Sequence, residues 1–128
     1  MDGPVVLYIE DNADNRMLVR RVLMAEDFVV VDCPDGQTGL AWAAEHTPTL
    51  ILMDINLPEI DGYAVTAKLR DLPHLARVPI IALTANVMKG DREKTLAAGC
   101  DGYIQKPIDV DLLPRQILRF ILEAQARS

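Results

Sequence analysis

Five short apolar runs alternate with longer segments of helical spacing, and this alternation limits the possible folds more than any other feature of the sequence. The runs are Val5–Ile9, Phe28–Cys33, Leu50–Met53, Pro79–Leu83 and Gly102–Gln105. Each run has the length of a strand, whereas the segments between them have the apolar spacing of amphipathic helices. Strands that alternate with helices build βαβ units, so the pattern predicts an α/β fold with a parallel sheet.

The segments between the strands predict five helices. In the first, Leu18, Val22 and Ala25 share one face, and we expect that face to be buried. The last is predicted to begin near Asp109 or Asp111, with Pro114 in its first turn, where a missing N–H costs little. The first four helices are predicted to span, in order, residues 14–24, residues 37–46, the segment from a capping Asp61 to about Arg70, and residues 88–98.

Size and charge exclude several classes of protein. A chain of 128 residues fits one domain, predicted to span 1–128 with no output domain. Its net charge of −6 argues against nucleic-acid binding, which needs a basic surface, and no apolar stretch approaches the roughly 20 residues of a membrane helix. Cys33 and Cys100 form no C-x-x-C pair, so we expect reduced, buried thiols in a cytoplasmic protein.

Acidic residues follow two of the predicted strands. Glu10 and Asp11 come after the first strand, and Asp54 comes after the third. Parallel strands open their carboxyl ends on the same edge of a sheet, so these acids are expected to converge there. A cluster of carboxylates suits Mg²⁺, with Mn²⁺ as an alternative, because hard divalent cations prefer oxygen ligands. Three solvated turn acids remain the alternative interpretation.

A hydroxyl and an ammonium group end the fourth and fifth strands at the same predicted edge. Thr84 follows the fourth strand and Lys106 follows the fifth. Cations and hydrogen-bond donors stabilise the charge that spreads over a phosphoryl group during transfer. A carboxylate is a competent nucleophile towards phosphorus, and Asp54 is the acid nearest the middle of the array. The pattern therefore favours Asp54 as the acceptor of a phosphoryl group.

Four motifs resemble those of the response-regulator receiver family, also called CheY-like, and the resemblance extends over the whole chain. They are Tyr8-Ile9-Glu10-Asp11-Asn12, residues 52–62 around Asp54, Ala82-Leu83-Thr84-Ala85 and Gln105-Lys106-Pro107. The resemblance implies a flavodoxin-like (βα)5 three-layer sandwich with the parallel strand order 2-1-3-4-5. It also implies a cis bond between Lys106 and Pro107.

The resemblance further implies how the site works. Asp54 would accept a phosphoryl group from a phosphohistidine on a histidine kinase or a histidine phosphotransfer protein. The backbone carbonyl of Asn56 would contribute to Mg²⁺ binding, and Glu10 would stand where the family often has aspartate. Thr84 and Tyr103 would form a two-state switch. A downstream protein would bind the face made by the fourth helix, the fifth strand and the fifth helix.

Two subgroups of the family resemble different parts of the chain. Asn12 and Asn15 are similar to receivers of hybrid kinases, whereas residues 88–91 and Gly99-Cys100 are similar to DivK-like stand-alone regulators. We expect no enzyme beyond self-catalysed phosphoryl acceptance and its hydrolysis. Two alternatives stay open, a pseudo-receiver that binds partners without phosphate and a Mg²⁺-dependent phosphohydrolase. The latter usually has a second acid two residues after its nucleophile, where this chain has Asn56.

Overall fold

The structure, a computed structural model, describes residues 3–57, 61–85 and 89–127, with the side chains of 89–92 excepted. The strands are β1 (Val5–Ile9), β2 (Val29–Cys33), β3 (Leu50–Asp54), β4 (Ile80–Thr84) and β5 (Gly102–Gln105). The helices are α1 (Ala13–Met24), α2 (Gly36–Glu45), α3 (Gly62–Arg70), α4 (Lys89–Ala97) and α5 (Leu113–Ala126), with a 3₁₀ turn at Pro73–Leu75. The α/β fold is confirmed.

The five strands are parallel and lie in the order β2-β1-β3-β4-β5, which confirms the expected topology. In β3 and β4 every residue is buried, as continuous apolar runs in the middle of a parallel sheet should be. Helices cover both faces. On one face α1 and α5 contribute Val19, Leu23 and Ile117 to the core, and on the other α2 and α3 contribute Ala43 and Val65.

The buried face of α1 differs from the predicted one. Val19 and Leu23 are buried, whereas Leu18 and Ala25 are exposed and Val22 is only partly buried. Both sets of residues fit the three-to-four spacing of a helix, because this segment has apolar side chains around most of its circumference. Periodicity alone could not decide which face meets the sheet, and the prediction for α1 was wrong in orientation.

Helix α5 begins later than predicted. The Asp109 side chain accepts a hydrogen bond from the backbone N–H of Asp111 at 3.0 Å, which closes a turn before the helix. Aspartate often competes with a helix for local backbone donors in this way. The helix then starts at Leu113 with Pro114 in its first turn, as predicted, and Leu113, Ile117 and Ile121 face the core.

Other predictions about the fold are confirmed by the structure. Asp61 caps α3 by accepting from the N–H of Ala64 at 2.8 Å. The Lys106–Pro107 bond is cis. Cys33 and Cys100 are free and buried. None of the helices in the described part of the chain has the length and apolarity needed to cross a bilayer.

One arginine connects the elements at the edge of the sheet where the strands begin. Arg70, at the end of α3, donates from Nη1 to the carbonyls of Leu75 and Val78 at 2.9 and 2.8 Å, and from Nε to that of Gly99 at 2.8 Å. Its Nη2 also donates to Asp101, which in turn accepts from the N–H of Ile80 at 2.9 Å. The guanidinium thus binds α3 to the start of β4 and to the turn before β5.

Candidate functional site

The strand order brings the predicted site residues together at one edge of the sheet. β3 lies between β1 and β4, and β4 pairs with β5. The ends of neighbouring strands are joined by backbone hydrogen bonds, from Ile55 N–H to the carbonyl of Leu83 at 3.1 Å and from Lys106 N–H to that of Thr84 at 2.8 Å. Side chains that are distant in sequence therefore meet where β1, β3, β4 and β5 end.

Asp54 occupies the centre of this edge as a buried carboxylate. Its Oδ1 accepts two hydrogen bonds, from Lys106 Nζ at 2.9 Å and from the backbone N–H of Asn56 at 3.0 Å. The Lys106 side chain keeps 25% of its surface exposed, while that of Asp54 keeps 3%. Both donors reach the same oxygen, so neither contact uses Oδ2. These two contacts fix Oδ1 and thereby set the orientation of the whole carboxylate, including Oδ2.

Close packing behind Asp54 requires glycine at position 62. A Cβ on Gly62 would lie 2.6 Å from the Asp54 carbonyl oxygen and 2.7 Å from the Cα of Ile55, both too short for real contacts. The N–H of Gly62 also donates to the Ile55 carbonyl at 3.0 Å. The first turn of α3 therefore rests directly on the end of β3 and fixes the backbone that carries Asp54.

Glu10, Asp11 and Asp54 form an acidic cluster. Each offers a carboxylate oxygen, and these oxygens lie within 4.8 Å of one another. Two oxygens on opposite sides of an octahedral Mg²⁺ are about 4.2 Å apart, so small side-chain adjustments would fit the ion. Lys106 supplies one positive charge to a cluster of three acids, which leaves negative charge for a divalent cation to neutralise. The donor set fits Mg²⁺, and nothing in it separates Mg²⁺ from Mn²⁺.

The surroundings of Glu10 raise the pKa of its carboxyl group. Burial raises the pKa of Glu10 to about 7, and a hydrogen bond to Asp54 together with the charge of Asp54 adds to this increase. The backbone N–H of Asn12 acts in the opposite direction. Burial and a neighbouring carboxylate both disfavour the charged form of an acid, so each contributes to the raised pKa of Glu10.

Three groups that the sequence interpretation did not assign to the site hold the Glu10 side chain. Tyr8 Oη and Asn15 Nδ2 donate to Oε1 at 3.2 and 3.3 Å, and the backbone N–H of Asn12 donates to Oε2 at 3.3 Å. Tyr8 is in β1, two residues before Glu10, which directly follows the strand, and period-two alternation could have placed both on one face. Asn12 caps α1 through the N–H of Asn15 at 2.9 Å.

Arg16 is a further residue that sequence reasoning missed. Its Nη1 donates to the backbone carbonyls of Glu10 and Asp11 at 2.8 and 3.0 Å, and its Nε lies 3.4 Å from Asp32 Oδ2 on β2. The guanidinium therefore fixes the turn that carries both acids. A contact from a side chain to distant carbonyls leaves no periodic signal in the sequence, so no pattern could have found it.

Thr84 and Tyr103, the predicted switch pair, lie on the same face of the sheet. Thr84 pairs with Gln105, and Tyr103 pairs with Ala82, so the two residues are diagonal neighbours on adjacent strands. Thr84 is buried, and the partly buried Tyr103 packs against the core beneath α2 and α3. Asn56 is exposed, and its backbone N–H is bonded to Asp54. This arrangement is compatible with the roles that the resemblance implies.

A groove opens beside the acidic cluster between α1 and the segment that follows β5. It has a volume of about 460 Å³ and is lined by Glu10, Asn15, Leu18, Val19, Ala85, Lys106, Pro107 and Ile108. Leu18 is 46% exposed at its rim, although the sequence interpretation had placed this residue in the core. The groove gives a bulky group a route to the acids along an apolar wall.

Comparisons with known proteins agree with this geometry. Residues 6–118 match the response regulator receiver domain. The polar-differentiation response regulator DivK of Brucella anthropi is 41% identical over 119 residues, which cover 93% of this chain and 97% of DivK. This likeness supports the DivK-type part of the predicted resemblance.

Solved structures show the same fold. The receiver domain of a sensor histidine kinase from Pseudomonas aeruginosa PAO1, with a magnesium ion coordinated in its active site cleft, has a TM-score of 0.85 and 39% identity, covering 93% of this chain and 98% of that one. Chemotaxis protein CheY4 of Vibrio cholerae has a TM-score of 0.88 and 25% identity, covering 91% and 98%. The chain therefore belongs to the response regulator receiver family of two-component signalling.

Proposed function

We propose that Asp54 accepts a phosphoryl group from a phosphohistidine on a histidine kinase or a histidine phosphotransfer protein, and that this modification changes which proteins the chain binds. One observation carries the proposal: the buried Asp54 carboxylate lies between the Lys106 ammonium, 2.9 Å away, and the acid pair at the end of β1. A nucleophile, a cation and a set of metal ligands are thus assembled at one edge of the sheet.

The transfer exchanges one bond to phosphorus for another. Oδ2 of Asp54 attacks the phosphorus, the P–N bond to the donor imidazole breaks, and its electron pair stays on the imidazole nitrogen. Lys106 remains near Oδ1 and offsets the negative charge that the phosphoryl group brings. Glu10, Asp11 and Asp54 would hold Mg²⁺, and a bound divalent ion neutralises phosphoryl oxygens. The Asn56 carbonyl is proposed as a further oxygen ligand.

The product remains attached to the protein, so we propose a signalling switch and not an enzyme that turns over a separate substrate. Hydrolysis of the aspartyl phosphate resets it. The hydrolase alternative needs a second acid two residues after the nucleophile, and position 56 is an exposed asparagine. The pseudo-receiver alternative does not explain why Asp54, Lys106 and the acid pair are brought together.

The groove beside α1 is the proposed approach path for the donor. Its lining includes the polar side chains of Glu10 and Lys106 and the apolar side chains of Leu18 and Ile108. An imidazole ring that enters between these groups would meet polar atoms at its reacting end and apolar side chains along its flank. We place the donor protein against α1 for this reason.

We propose that the downstream protein binds on the opposite side of the site. Thr84 moves towards the new phosphoryl group, which makes room for the ring of Tyr103 on the same face of the sheet. The surface of α4, β5 and α5 then changes and binds a downstream protein. We propose a cytoplasmic location, where the kinase domains that supply the phosphoryl group act.

Intact-protein mass measurement tests the proposal. Wild-type protein, Asp54→Asn and Asp71→Asn are incubated with acetyl phosphate, with Mg²⁺ or with a chelator. Asp71 is an exposed acid just after α3, so its variant matches the chemical change at a distant position. We expect one phosphoryl group on wild type and Asp71→Asn in Mg²⁺, and none on Asp54→Asn.

Three results would contradict the proposal. Full labelling of Asp54→Asn would place the acceptor elsewhere. An unlabelled wild type that nevertheless binds Mg²⁺ would favour the pseudo-receiver. Sustained turnover of a small phosphomonoester by wild type would instead favour the phosphohydrolase. A phosphotransfer profile against the histidine kinases and phosphotransfer proteins of the source organism would then identify the donor by its kinetic preference.

A further inference from the structure

The hydroxyl of Tyr8 is bonded to a group of the functional site although its ring belongs to the core. Tyr8 is 0% exposed and packs with the apolar residues beneath α1 and α5. Its Oη donates to Oε1 of Glu10 at 3.2 Å, and Glu10 is itself only 1% exposed. A buried phenol needs a partner for its hydroxyl, and here that partner is a carboxylate of the acidic cluster.

The start of α1 holds the same carboxylate from its other side. Asn15 Nδ2 donates to Oε1 at 3.3 Å, and the backbone N–H of Asn12 donates to Oε2 at 3.3 Å. Asn12 is itself fixed as the cap of α1. The three donors come from β1, the turn and α1, so the Glu10 side chain has little freedom to leave this position.

This restraint matters because glutamate is a flexible side chain. Fixing a long side chain costs rotamer entropy, and a ligand that is not already fixed must lose that entropy when the cation binds. Groups that bond to metal ligands orient them, and removing such a group typically weakens metal binding about 10–100-fold. Tyr8 and Asn15 have the contacts to do this for Glu10.

We propose that Tyr8 and Asn15 are positioning residues of the divalent-cation site, which hold the Glu10 carboxylate towards Asp11 and Asp54. The proposal rests on the cation site of the proposed function. Neither residue contacts the reacting atoms, and each acts through Glu10. The phenylalanine variant of Tyr8 retains the ring in the core and removes only the hydroxyl, so it separates positioning from packing.

Calorimetric titration with Mg²⁺ alone tests the proposal without any phosphoryl transfer. The variants are Tyr8→Phe, Asn15→Ala and, as a matched control, Tyr63→Phe. The Tyr63 hydroxyl lies 3.5 Å from Thr95 Oγ1 on α4, outside the acidic cluster. We expect Tyr8→Phe to raise the Mg²⁺ dissociation constant about tenfold and Asn15→Ala to raise it about fivefold. Tyr63→Phe should change it less than about twofold.

A double-mutant cycle distinguishes positioning from a general structural effect. If Tyr8 acts through Glu10, its hydroxyl should matter less once position 10 is neutral, so Tyr8→Phe should change affinity less than about twofold in a Glu10→Gln background. An effect of equal size in both backgrounds would overturn the proposal. Unchanged affinity of Tyr8→Phe and Asn15→Ala, in protein whose wild type binds Mg²⁺, would also overturn it.

Failure of this inference differs from failure of the proposed function. A wild type that shows no Mg²⁺ binding would contradict the proposed cation site and this proposal with it, whereas binding without any effect of Tyr8 and Asn15 contradicts only the latter. If Tyr8→Phe does not fold, as shown by circular dichroism, Asn15→Ala decides. Asn15 is exposed, and after the substitution the backbone N–H of residue 15 can still donate to the capping side chain of Asn12.

Discussion

Lys106 and Asp54 are 52 positions apart in the sequence, yet Lys106 Nζ lies 2.9 Å from Asp54 Oδ1. The lysine side chain keeps a quarter of its surface exposed, while the carboxylate is almost fully buried. This arrangement gives Asp54 a cation that solvent can still reach. The ion pair therefore places a cation beside a buried carboxylate while leaving space beside it for an incoming anionic group.

Replacing Lys106 by methionine should slow phosphoryl uptake. Methionine has a similar length and no charge, so Lys106→Met removes the ammonium that offsets the added negative charge. We expect labelling by acetyl phosphate to slow about 100-fold, the usual effect of removing one stabilising donor from such a site. Rates of intact-protein labelling in saturating Mg²⁺ measure this effect. Lys68→Met, at an exposed lysine of α3, should label at the wild-type rate, and an equally fast Lys106→Met would contradict the assigned role.

Mg²⁺ affinity should rise with pH because Glu10 must be ionised to serve the cation. The pKa of Glu10 is raised to about 7 by burial and by Asp54. A proton competes with Mg²⁺ below this value, so affinity should fall about tenfold between about pH 8 and about pH 6. Calorimetric titrations across this range measure the effect. The Glu10→Gln variant should show a much flatter profile, and a wild-type profile as flat as that of the variant would contradict the expectation.

The same raised pKa has a consequence for stability without metal. The folded protein holds the Glu10 proton more tightly than the unfolded chain, whose pKa lies near 4.5. The stability that this tighter proton binding by Glu10 contributes is therefore present below about pH 4.5 and is lost as the pH rises through about 7. In a chelator, the unfolding free energy of wild type should fall relative to that of Glu10→Gln as the pH rises. Added Mg²⁺ should reverse this trend.

Arg70 should stabilise the fold without affecting the cation site. Its guanidinium donates to the carbonyls of Leu75, Val78 and Gly99, and a lysine cannot reproduce this planar set of donors. We expect Arg70→Lys to lower the unfolding free energy by about 2–4 kcal/mol, because partly buried acceptors lose their partners. Urea unfolding measures this loss. The Mg²⁺ affinity of folded Arg70→Lys should match that of wild type, and the exposed Arg77→Lys should have wild-type stability.

The residues that end the strands were predictable from sequence because their positions depend on only two features. Apolar runs locate the strands, and parallel strands open on one edge, so Asp54 and Lys106 could be placed there without coordinates. The cap at Asp61 was predictable for a similar reason, since capping uses a local pattern of side chain and helix start.

Contacts that depend on packing could not be predicted in this way. The apolar residues of α1 allow two helix faces, and only contact with the sheet selects Val19 and Leu23 over Leu18. The bonds of Arg16 and Arg70 to backbone carbonyls join segments whose separation depends on the whole fold. The Asp109 side chain accepts a backbone hydrogen bond in a turn before the helix, where it could equally have capped the helix start. The sequence around an aspartate that closes a turn looks the same as that around one that caps a helix.

Leu18 should matter for the donor protein and not for the chemistry at Asp54. Its half-exposed side chain lines the groove beside Glu10 and Lys106. Met24, at the other end of α1, is 50% exposed and is not among the residues that line the groove, so it serves as a control. We expect Leu18→Gln to slow transfer from a phosphorylated phosphotransfer protein about tenfold, the effect of truncating one apolar anchor in an interface. Labelling by acetyl phosphate should stay within about twofold of wild type, since this small donor needs no apolar wall. Met24→Gln should behave as wild type with both donors. Equal slowing with both donors would mean that Leu18 supports the site itself, and unchanged transfer from the protein donor would place its binding surface elsewhere.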